Sequence, residues 1–400
     1  MSATRKTILY AGGFGLPDRN ASAIRCLGNA ELWRSLGYDV VILGKLRPEP
    51  PAAPAETETT IDGFRCIDIR RPVWNKECRS YVKSVEPVAE VVASIGAEHI
   101  LAIVAYNYPA RGLAGVIQLC RREGLFPVLD CTEWYGWEGT RVLHNLMRIT
   151  GTWVRGSLLT RWSGNVICAS SYMAARLPRQ NVLVLPFVVK ASDAKWRNQS
   201  VLENPVPAQK RFIYSGSPGM GLSKDRLDYV IAGFHRIHQQ GVDFRFLVAG
   251  LTQENYLQMR PGHRRALMEM GQKVTYTGRI PHLEALSLLK SADFSVFFRK
   301  SNRSTNVGFP TKYVEAASVG IPVITNATSD LDQYLEDGIN GFMIATSDSE
   351  CIHEAILSAA TMDGDKLAHM KRKCGAENPF ELSRWQESMR QFLGQLRAPR

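Results

Sequence analysis

Short apolar runs alternate with amphipathic stretches along most of the chain, which predicts strands and helices in turn. The first run, Thr7–Ala11, is predicted to be a strand that leads into a glycine-rich loop, Gly12–Gly15, and then into a helix over Ser22–Ser35. Further strands of the first half are predicted at Asp39–Leu43, Ile100–Ala105, Pro127–Cys131 and Asn165–Ala169. This order is typical of parallel sheets covered by helices.

The pattern restarts after a polar, non-periodic stretch. Strands are predicted at Arg211–Gly216, Phe244–Ala249, Val274–Thr277, Phe294–Phe298 and Ile321–Thr325, and helices at Asp225–Gln239, Leu283–Lys290 and Lys312–Val319. We therefore predict an α/β fold of two Rossmann-like, doubly wound domains facing a cleft, over 1–190 and 211–378. A linker is predicted over 191–210 and a final helix over 379–400.

Composition narrows the class of protein. The 400 residues carry 45% hydrophobic and 22% charged side chains, as ordinary globular proteins do. No apolar run is long enough for a spanning helix or a signal peptide, and eight scattered cysteines without a CxxC pair predict free thiols, so we expect a cytoplasmic location. The net charge of +11 suits an anionic ligand or an anionic membrane surface, while the absence of zinc-finger or RNA-binding signatures argues against nucleic acid.

The segment from Gly308 to Asn326 carries the most specific chemistry. Lys312 and Glu315 are three positions apart, so they share one face of the predicted helix, whose free amides form an anion site. This pair suits a nucleoside diphosphate. The lysine would lie near the phosphates, and the carboxylate, one turn deeper, would accept hydrogen bonds from the ribose hydroxyls. The alternative is an amphipathic helix with two solvated charges.

Glycine-rich turns follow the first strand of each half. Gly12-Gly13 begins a GxG pattern, yet Asp18 stands where a dinucleotide fingerprint needs its third glycine, and no acidic residue ends the second strand, which argues against NAD. The loop from Gly216 to Lys224 opens the second half and is weak evidence by itself.

Together these motifs resemble the GT-B glycosyltransferases, particularly the retaining family 4, over nearly the whole chain. The Gly308–Asn326 segment is similar to the donor-site signature of that family, with Glu315 at the second of its two glutamates and Val307 where the first would be. Some bacterial polysaccharide enzymes of this type carry a similar Pro-Thr-Lys-x-x-Glu pattern.

The resemblance implies roles for further residues. It places the backbone of Arg279 and Ile280 at the nucleobase and Lys224 at the pyrophosphate, with Ser217 where an arginine is expected; Arg299 or Lys300 is a hypothetical second cation. It makes Gly12 and Gly13 a phosphate-contacting loop of the N-terminal, acceptor-side domain, to which the final helix crosses back. The candidate donor-binding set is completed by Gly308, Phe309 and Thr311 beside Glu315.

Polar and aromatic residues end a predicted strand of the first half. Where many family members carry a histidine, this chain has Asp130, Thr132 and Glu133, followed by Tyr135 and Trp137. A carboxylate beside aromatic rings suits sugar binding; the alternative is a buried aromatic cluster with a capping acid. Lys224, Lys312 and Glu133 are the candidate catalytic residues.

These expectations lead to one function and two alternatives. We predict a metal-independent glycosyltransferase without a cofactor, which takes a UDP-sugar or, second, a GDP-sugar as donor and a glycan or lipid-linked glycan hydroxyl as acceptor. The resemblance implies retention of anomeric configuration. The alternatives are a non-catalytic nucleotide- or sugar-binding relative and a sugar-nucleotide epimerase of the same fold.

A last expectation concerns residues 139–164. Arginines recur at positions 141, 148 and 155, with Arg161 one short of the next step, among apolar residues that include Trp153 and Trp162. A basic face opposed to an apolar face predicts an interfacial helix at the inner side of an anionic membrane. An ordinary packed helix is the alternative.

Overall fold

The computed structural model describes residues 5–46, 57–69, 85–134, 142–178, 180–197 and 209–400, and within 142–148 only the side chain of residue 146. The chain divides into two compact units: unit 1 comprises the residues up to Val188 together with Leu382–Arg400, and unit 2 is Val189–Glu381. The prediction of two doubly wound α/β domains is confirmed.

The described residues of unit 1 form an eight-stranded sheet. Its strands are β1 (Thr7–Gly15), β2 (Asp39–Lys45), β3 (Glu58–Ile61), β4 (Phe64–Asp68), β5 (Ile100–Tyr106), β6 (Phe126–Cys131), β7 (Asn165–Cys168) and β8 (Asn181–Val184). The order is β3-β4-β2-β1-β5-β6-β7-β8, and only the β3–β4 edge hairpin is antiparallel. The order therefore reverses between β1 and β5, at the point where doubly wound folds bind ligands.

Helices cover both faces of this sheet. They are α1 (Ala21–Ser35), α2 (Glu86–Ile95), α3 (Ala110–Glu123), α4 (Val142–Val154), α5 (Thr160–Ser163) and α6 (Ser171–Ala174). A single π turn, Arg155–Leu159, joins α4 to α5. The side chain of Asn20 caps α1 by accepting from the amide of Ala23, and α1 buries Trp33 against the sheet.

Unit 2 has a six-stranded, wholly parallel sheet in the order β11-β10-β9-β12-β13-β14. The strands are β9 (Lys210–Ser215), β10 (Phe244–Ala249), β11 (Val274–Gly278), β12 (Phe294–Val296), β13 (Val323–Asn326) and β14 (Gly341–Ile344). This is the Rossmann strand order 3-2-1-4-5-6, with its reversal between β9 and β12. Buried phenylalanines, among them Phe212 and Phe234, whose rings pack edge-on, fill the core against the sheet.

The helices of unit 2 include those that carry the candidate site. They are α7 (Leu227–Gln239), α8 (Gln253–Met259), α9 (Arg264–Met270), α10 (His282–Lys290), α11 (Arg303–Val307), α12 (Thr311–Ser318), α13 (Ser349–Ala360) and α14 (Gly364–Ala376). None of the helices in the described parts of the chain is both long and apolar enough to cross a membrane.

The chain then returns to unit 1 through a 3₁₀ turn, Leu382–Trp385, and the helix α15 (Gln386–Gly394). Met389 of α15 is buried and accepts a hydrogen bond from the Trp33 indole of α1 at 3.2 Å. Of the predicted linker, residues 191–197 are described, and Trp196 there is buried in unit 2; residues 198–208 lie outside the described residues.

The predicted Gly12–Gly15 loop is wrong, because β1 continues through these residues. Gly12 pairs with Tyr106 of β5, and a side chain at Gly12 would lie 2.8 Å from the Tyr106 Cβ. The packing of β1 against β5 therefore requires a glycine at position 12, whether or not this residue also contacts a ligand. The register of β1 against β2 shifts between Ala11 and Gly15, where the strand is bulged.

Candidate functional site

The loop between β9 and α7 has an unusual backbone. Gly216, Gly219, Gly221 and Leu222 all have positive φ, and Leu222 is fully buried although it is a branched residue in the left-handed region. Such strain at a bulky residue persists only where the surroundings enforce it, and it concentrates at functional sites. Successive turns of this kind aim backbone amides into concavities that bind anions.

Lys224 ends this loop and points to solvent. Its side chain is exposed and has no protein partner among the residues that the structure describes. Its carbonyl accepts from the amide of Lys300 at 3.2 Å, which ties the loop to the chain after β12. The backbone of Lys224 is fixed by this hydrogen bond, while its ammonium group is accessible and can bind an anionic ligand.

Lys312, in contrast, has a protein partner. Its Nζ lies 2.8 Å from Asp225 Oδ2 and 3.4 Å from the Ser217 carbonyl oxygen. A side chain at Gly216 would lie 3.3 Å from this Nζ, so the glycine leaves room for the lysine. The predicted phosphate cation therefore shares its charge with a carboxylate that the sequence did not indicate.

Asp225 is the centre of this buried cluster. It also accepts from the Tyr214 hydroxyl at 2.6 Å and lies 3.8 Å from Arg299 Nε. Burial by itself would raise the pKa of Asp225, but the charges of Lys312 and Arg299 hold it below its ordinary value. Two cations thus surround one carboxylate, which leaves one positive charge in excess. Arg299 is buried and also donates to the Thr305 carbonyl, so this hypothetical second cation is part of the framework.

Glu315 forms a pair that the sequence analysis missed. Its Oε1 lies 3.1 Å from His282 Nε2, and each of the two side chains is 12% exposed. His282 is the first residue of α10, and the buried Trp196 packs edge-on against its ring. The one available signal is its position in the Gly-Arg-Ile-Pro-His turn, three residues after Arg279.

Arg279 and Ile280 lie in the turn between β11 and α10. Gly278 precedes them with φ of 69°, and its carbonyl accepts from the Gly250 amide at 2.8 Å. The Arg279 side chain is exposed. This turn therefore joins His282 and its partner Glu315 to the carboxyl edge of the sheet.

The segment at the start of α12 is only partly as predicted. Thr311 is the first residue of the helix, which has no side-chain cap, so its first amides are open to a ligand. Gly308 has φ of −94°, which any residue adopts. The ring of Phe309, a residue of the predicted donor-binding set, is buried, 5.6 Å from the Phe380 ring and 5.4 Å from the Tyr334 ring, which leaves its backbone for a donor. Val307 is fully buried as well.

Unit 1 gathers a polar cluster at the carboxyl ends of β5 and β6. Asn107 has φ of 46°, donates to Thr132 Oγ1 at 2.8 Å and accepts from the Thr132 amide at 3.0 Å. The Tyr106 hydroxyl lies 3.0 Å from the same oxygen, and burial, reinforced by the nearby carboxylate of Glu133, raises its pKa. Through the pairing of β1 with β5, Gly12 and Gly13 reach the same edge of the sheet. Asn107 was missed, since nothing in the sequence marks its left-handed backbone.

Asp130 is not available to a sugar, which corrects the expectation for this residue. It is completely buried, with its Oδ1 2.8 Å from Arg25 Nη2, and it also accepts hydrogen bonds from Tyr10 and Asn29. Arg25 in turn donates to the Leu185 carbonyl at 2.9 Å. The pair joins α1, β6 and the end of β8. Tyr135 and Trp137, predicted beside this site, lie outside the described residues.

Of the arginines predicted to form a basic face, Arg161 is exposed but Arg155 is not, while Arg141 and the side chain of Arg148 lie outside what the structure describes. Arg155 is buried and donates to the Glu133 carbonyl, while Trp153 and Trp162 are exposed. The segment therefore turns apolar side chains to solvent. Within the described residues, no group of three or more His, Cys, Asp and Glu side chains is arranged to hold a metal ion.

Comparison with known proteins agrees with this geometry. Residues 209–361 match the family model described as Glycosyl transferases group 1. A putative colanic acid biosynthesis glycosyltransferase, WcaL, of Salmonella typhimurium is 27% identical over 168 residues, which cover 38% of this chain and 39% of that protein. Its Escherichia coli K12 counterpart is 25% identical over 156 residues, 38% of this chain and 36% of that protein. The chain spans about two fifths of the length of these curated relatives.

Solved structures match the whole fold. Sucrose-phosphate synthase of Thermosynechococcus elongatus superposes with a TM-score of 0.72 at 15% identity, covering 98% of this chain and 99% of that one. HepE of Anabaena in complex with UDP and glucose gives 0.65 at 15% identity over 97% and 99%. Trehalose-6-phosphate synthase of E. coli, bound with UDP-2-fluoro glucose, gives 0.64 at 10% identity over 99% and 100%. These likenesses establish the GT-B fold.

Proposed function

From a chain of GT-B fold whose residues 209–361 match the group 1 glycosyltransferases, we propose that this protein transfers a sugar from a nucleoside-diphosphate sugar to an acceptor hydroxyl. The observation that carries the proposal is one grouping in unit 2. A strained, glycine-rich loop with the exposed Lys224 is joined through Asp225 to Lys312 of α12, and the same helix presents Glu315 one turn later.

Each part of this grouping suits one part of the donor. Glu315, whose Oε1 is held by His282, accepts the ribose hydroxyls through its other oxygen. Lys224, the loop amides and the open first turn of α12 at Thr311 bind the pyrophosphate. The backbone of Arg279 and Ile280 meets the base. Lys312 keeps the loop in place through Ser217 and Asp225 and adds part of the positive charge.

A UDP-sugar is the favoured donor and a GDP-sugar the second choice. Support comes from two similar structures, one in complex with UDP and glucose and the other bound with UDP-2-fluoro glucose. In the reaction, the bond between the anomeric carbon and the phosphate oxygen breaks, and the nucleoside diphosphate leaves with the electron pair. The acceptor oxygen bonds to that carbon on the face from which the phosphate departs, so configuration is retained, and the acceptor proton passes to the departing phosphate. Cations and amides positioned at the phosphates stabilise the developing charge.

The acceptor belongs to unit 1 in this proposal. Glu133, next to the Asn107–Thr132 cluster, orients the acceptor hydroxyl, and Gly12 and Gly13 present backbone at the same edge of the sheet. The names of the curated relatives favour a glycan or a lipid-linked glycan as acceptor. A lipid-linked acceptor would bring the enzyme to the inner face of a membrane as a peripheral protein.

No metal or cofactor takes part in the proposed step. Turnover is therefore expected to be the same before and after incubation with EDTA, measured as nucleoside diphosphate released per minute. Loss of turnover that manganese restores, and magnesium does not, would contradict the assignment of phosphate charge to lysines and amides.

Two observations favour the alternative of a non-catalytic binding relative. Val307 is buried and apolar where the family pattern carries its first glutamate, and Ser217 replaces an arginine. The first step is to screen a panel of nucleotide sugars by thermal shift. A sugar nucleotide that binds is detected because a ligand at about 100 times its Kd adds roughly 2.7 kcal/mol of stability. The stabilising sugar is then offered with acceptors. A new glycosidic product supports transfer, an isomerised sugar nucleotide an epimerase, and binding without product the non-catalytic relative.

A further inference from the structure

Among the residues that the structure describes, one segment of unit 1 presents an apolar surface to solvent. We define the tryptophan surface as Leu146, Ile149, Trp153, Leu158 and Trp162, all exposed, with Trp153 69% and Trp162 41% accessible. Among the described residues, these are five of the eight exposed large hydrophobic side chains; the others are Met268, Leu283 and Ile339, all in unit 2. A concentration of apolar side chains in one segment marks an interaction site, whereas scattered ones do not.

The π turn decides that these side chains lie together. An α-helix turns about 100° per residue, so nine residues would place Trp162 on roughly the opposite side from Trp153. The π turn Arg155–Leu159 adds one residue to a helical turn and rotates the following residues back by about 100°. This rotation turns Trp162 toward the side of the helix that carries Trp153, and both Leu158 and Trp162 are exposed.

The opposite side of the segment is anchored. Arg155 donates to the Glu133 carbonyl, and a side chain at Gly156 would lie 3.4 Å from the Trp134 indole nitrogen. Leu159 and Thr160 are buried beside them. Because the inner side is fixed by these contacts, the tryptophans cannot turn inward without breaking them.

Exposed cations lie beside the Trp162 end of this apolar surface. No Asp or Glu occurs between Gly139 and Ser192, a stretch with seven Arg and Lys residues. Arg161 is exposed within it, and the C-terminal segment adds two more exposed arginines. The amide of Arg400 donates to the Trp162 carbonyl at 2.9 Å, and the Arg397 Cβ is 3.1 Å from where a side chain at Gly164 would begin.

We propose that the tryptophan surface docks on an anionic lipid bilayer. Tryptophan prefers the boundary between headgroups and acyl chains, and arginines at its margin meet anionic headgroups. A second copy of this chain is a poorer occupant, because a two-fold interface would oppose Arg161, Arg397 and Arg400 to themselves. Membrane docking has a purpose only if the protein is the transferase proposed above, so this inference rests on the proposed function. Docking itself, however, requires neither donor nor acceptor.

Vesicle flotation of the full chain tests this inference. The protein is mixed with phosphatidylcholine vesicles, or with vesicles that also contain phosphatidylglycerol, at low and at high salt. We expect binding to the anionic vesicles alone, released by salt because exposed charges are screened. Trp153→Ser with Trp162→Ser is expected to lower the bound fraction about tenfold, as is Arg161→Glu with Arg397→Glu.

The control is Met268→Ser, which removes an exposed apolar side chain of unit 2 and should bind as the parent does. UDP affinity by calorimetry should be unchanged in all variants, so a failed nucleotide site and a failed docking surface give different results. Equal recovery with neutral and anionic vesicles, or tryptophan variants that bind normally, would overturn the proposal. A dimer in sedimentation velocity that the tryptophan variants dissociate would do so too, in favour of a second copy.

Discussion

Each unit holds a buried aspartate against a cation at the carboxyl edge of its sheet, and the two pairs differ in their access to solvent. In unit 1 the side chains of Arg25 and Asp130 are both 0% exposed. In unit 2 Asp225 is 4% exposed, but its partner Lys312 is 19% exposed. A ligand cannot reach the first pair without unfolding its surroundings, whereas a phosphate can approach the lysine of the second.

The comparison separates structural from functional charge. Arg25 also donates hydrogen bonds to the carbonyls of Leu185 and Pro186. The hydrogen bonds around Asp130 are therefore made with other protein groups. The network of Asp225 has two cations for one carboxylate and borders a strained loop. A polyanionic ligand would neutralise the excess positive charge beside this strained backbone.

The largest expected effect is on Asp130. Removing one partner of a wholly buried ion pair leaves an uncompensated charge, so Asp130→Asn should lower the free energy of unfolding by about 3–5 kcal/mol in urea titrations. Glu58→Gln, which breaks the exposed Glu58–Arg65 pair, is the matched control and should change stability little. A stable Asp130→Asn protein without transfer activity would instead make Asp130 part of the reaction.

The stability of Asp225→Asn, unlike that of Asp130→Asn, should depend strongly on bound UDP. The variant leaves Lys312 and Arg299 without their carboxylate and should lose about 1–3 kcal/mol of stability. Because a bound pyrophosphate replaces the missing negative charge, UDP should raise the Tm of this variant by more than it raises the Tm of the parent. The same UDP-induced rise in parent and variant would show that the cluster does not face the phosphates.

Glu315 and His282 are expected to act as one unit. Glu315→Gln should weaken UDP binding by about 1.5–3 kcal/mol, the range for hydrogen bonds to a charged group, and His282→Ala should weaken it by less. If His282 only positions Glu315, it should have no further effect in the Glu315→Gln background, which a double-mutant cycle by calorimetry measures.

His282→Asn, which keeps a donor, should restore part of the affinity, and the exposed Glu284→Gln on α10 is the control. Additive losses from Glu315→Gln and His282→Ala would mean that His282 contacts the ligand by itself. Unchanged UDP affinity in Glu315→Gln would remove the ribose assignment altogether.

The smallest expected effect is on Lys224, because its ammonium is exposed. Lys224→Ala should weaken UDP by roughly 1 kcal/mol and leave uridine binding unchanged, since the lysine is assigned to phosphate. Calorimetry with both ligands measures this, and Lys366→Ala, another exposed lysine of unit 2, should alter neither. Equal losses for UDP and uridine would contradict the assignment.

Much of the candidate site follows from local pattern, and part of it does not. Lys312 and Glu315 were predicted to share a helix face, and α12 holds both. The carboxylate that binds Lys312 and the histidine that binds Glu315 lie far along the chain, at Asp225 and His282, and no spacing rule connects them. Phe309 was predicted in the donor-binding set with the segment that resembles the donor-site signature, but its ring has aromatic neighbours from distant segments, which no local pattern shows.

The sequence by itself predicted the main strands of both sheets, several of the helices and their alternation, and hence the two doubly wound domains. These depend on periodicity and on turn residues, which act over a few positions. Only the tertiary structure decided which charges are paired, that β1 runs through Gly12 and Gly13, and that a π turn exposes Trp162. Burial and charge pairing arise where distant segments meet, and one residue added to a helical turn rotates the residues after it by about 100°, which changes the side chains that face solvent.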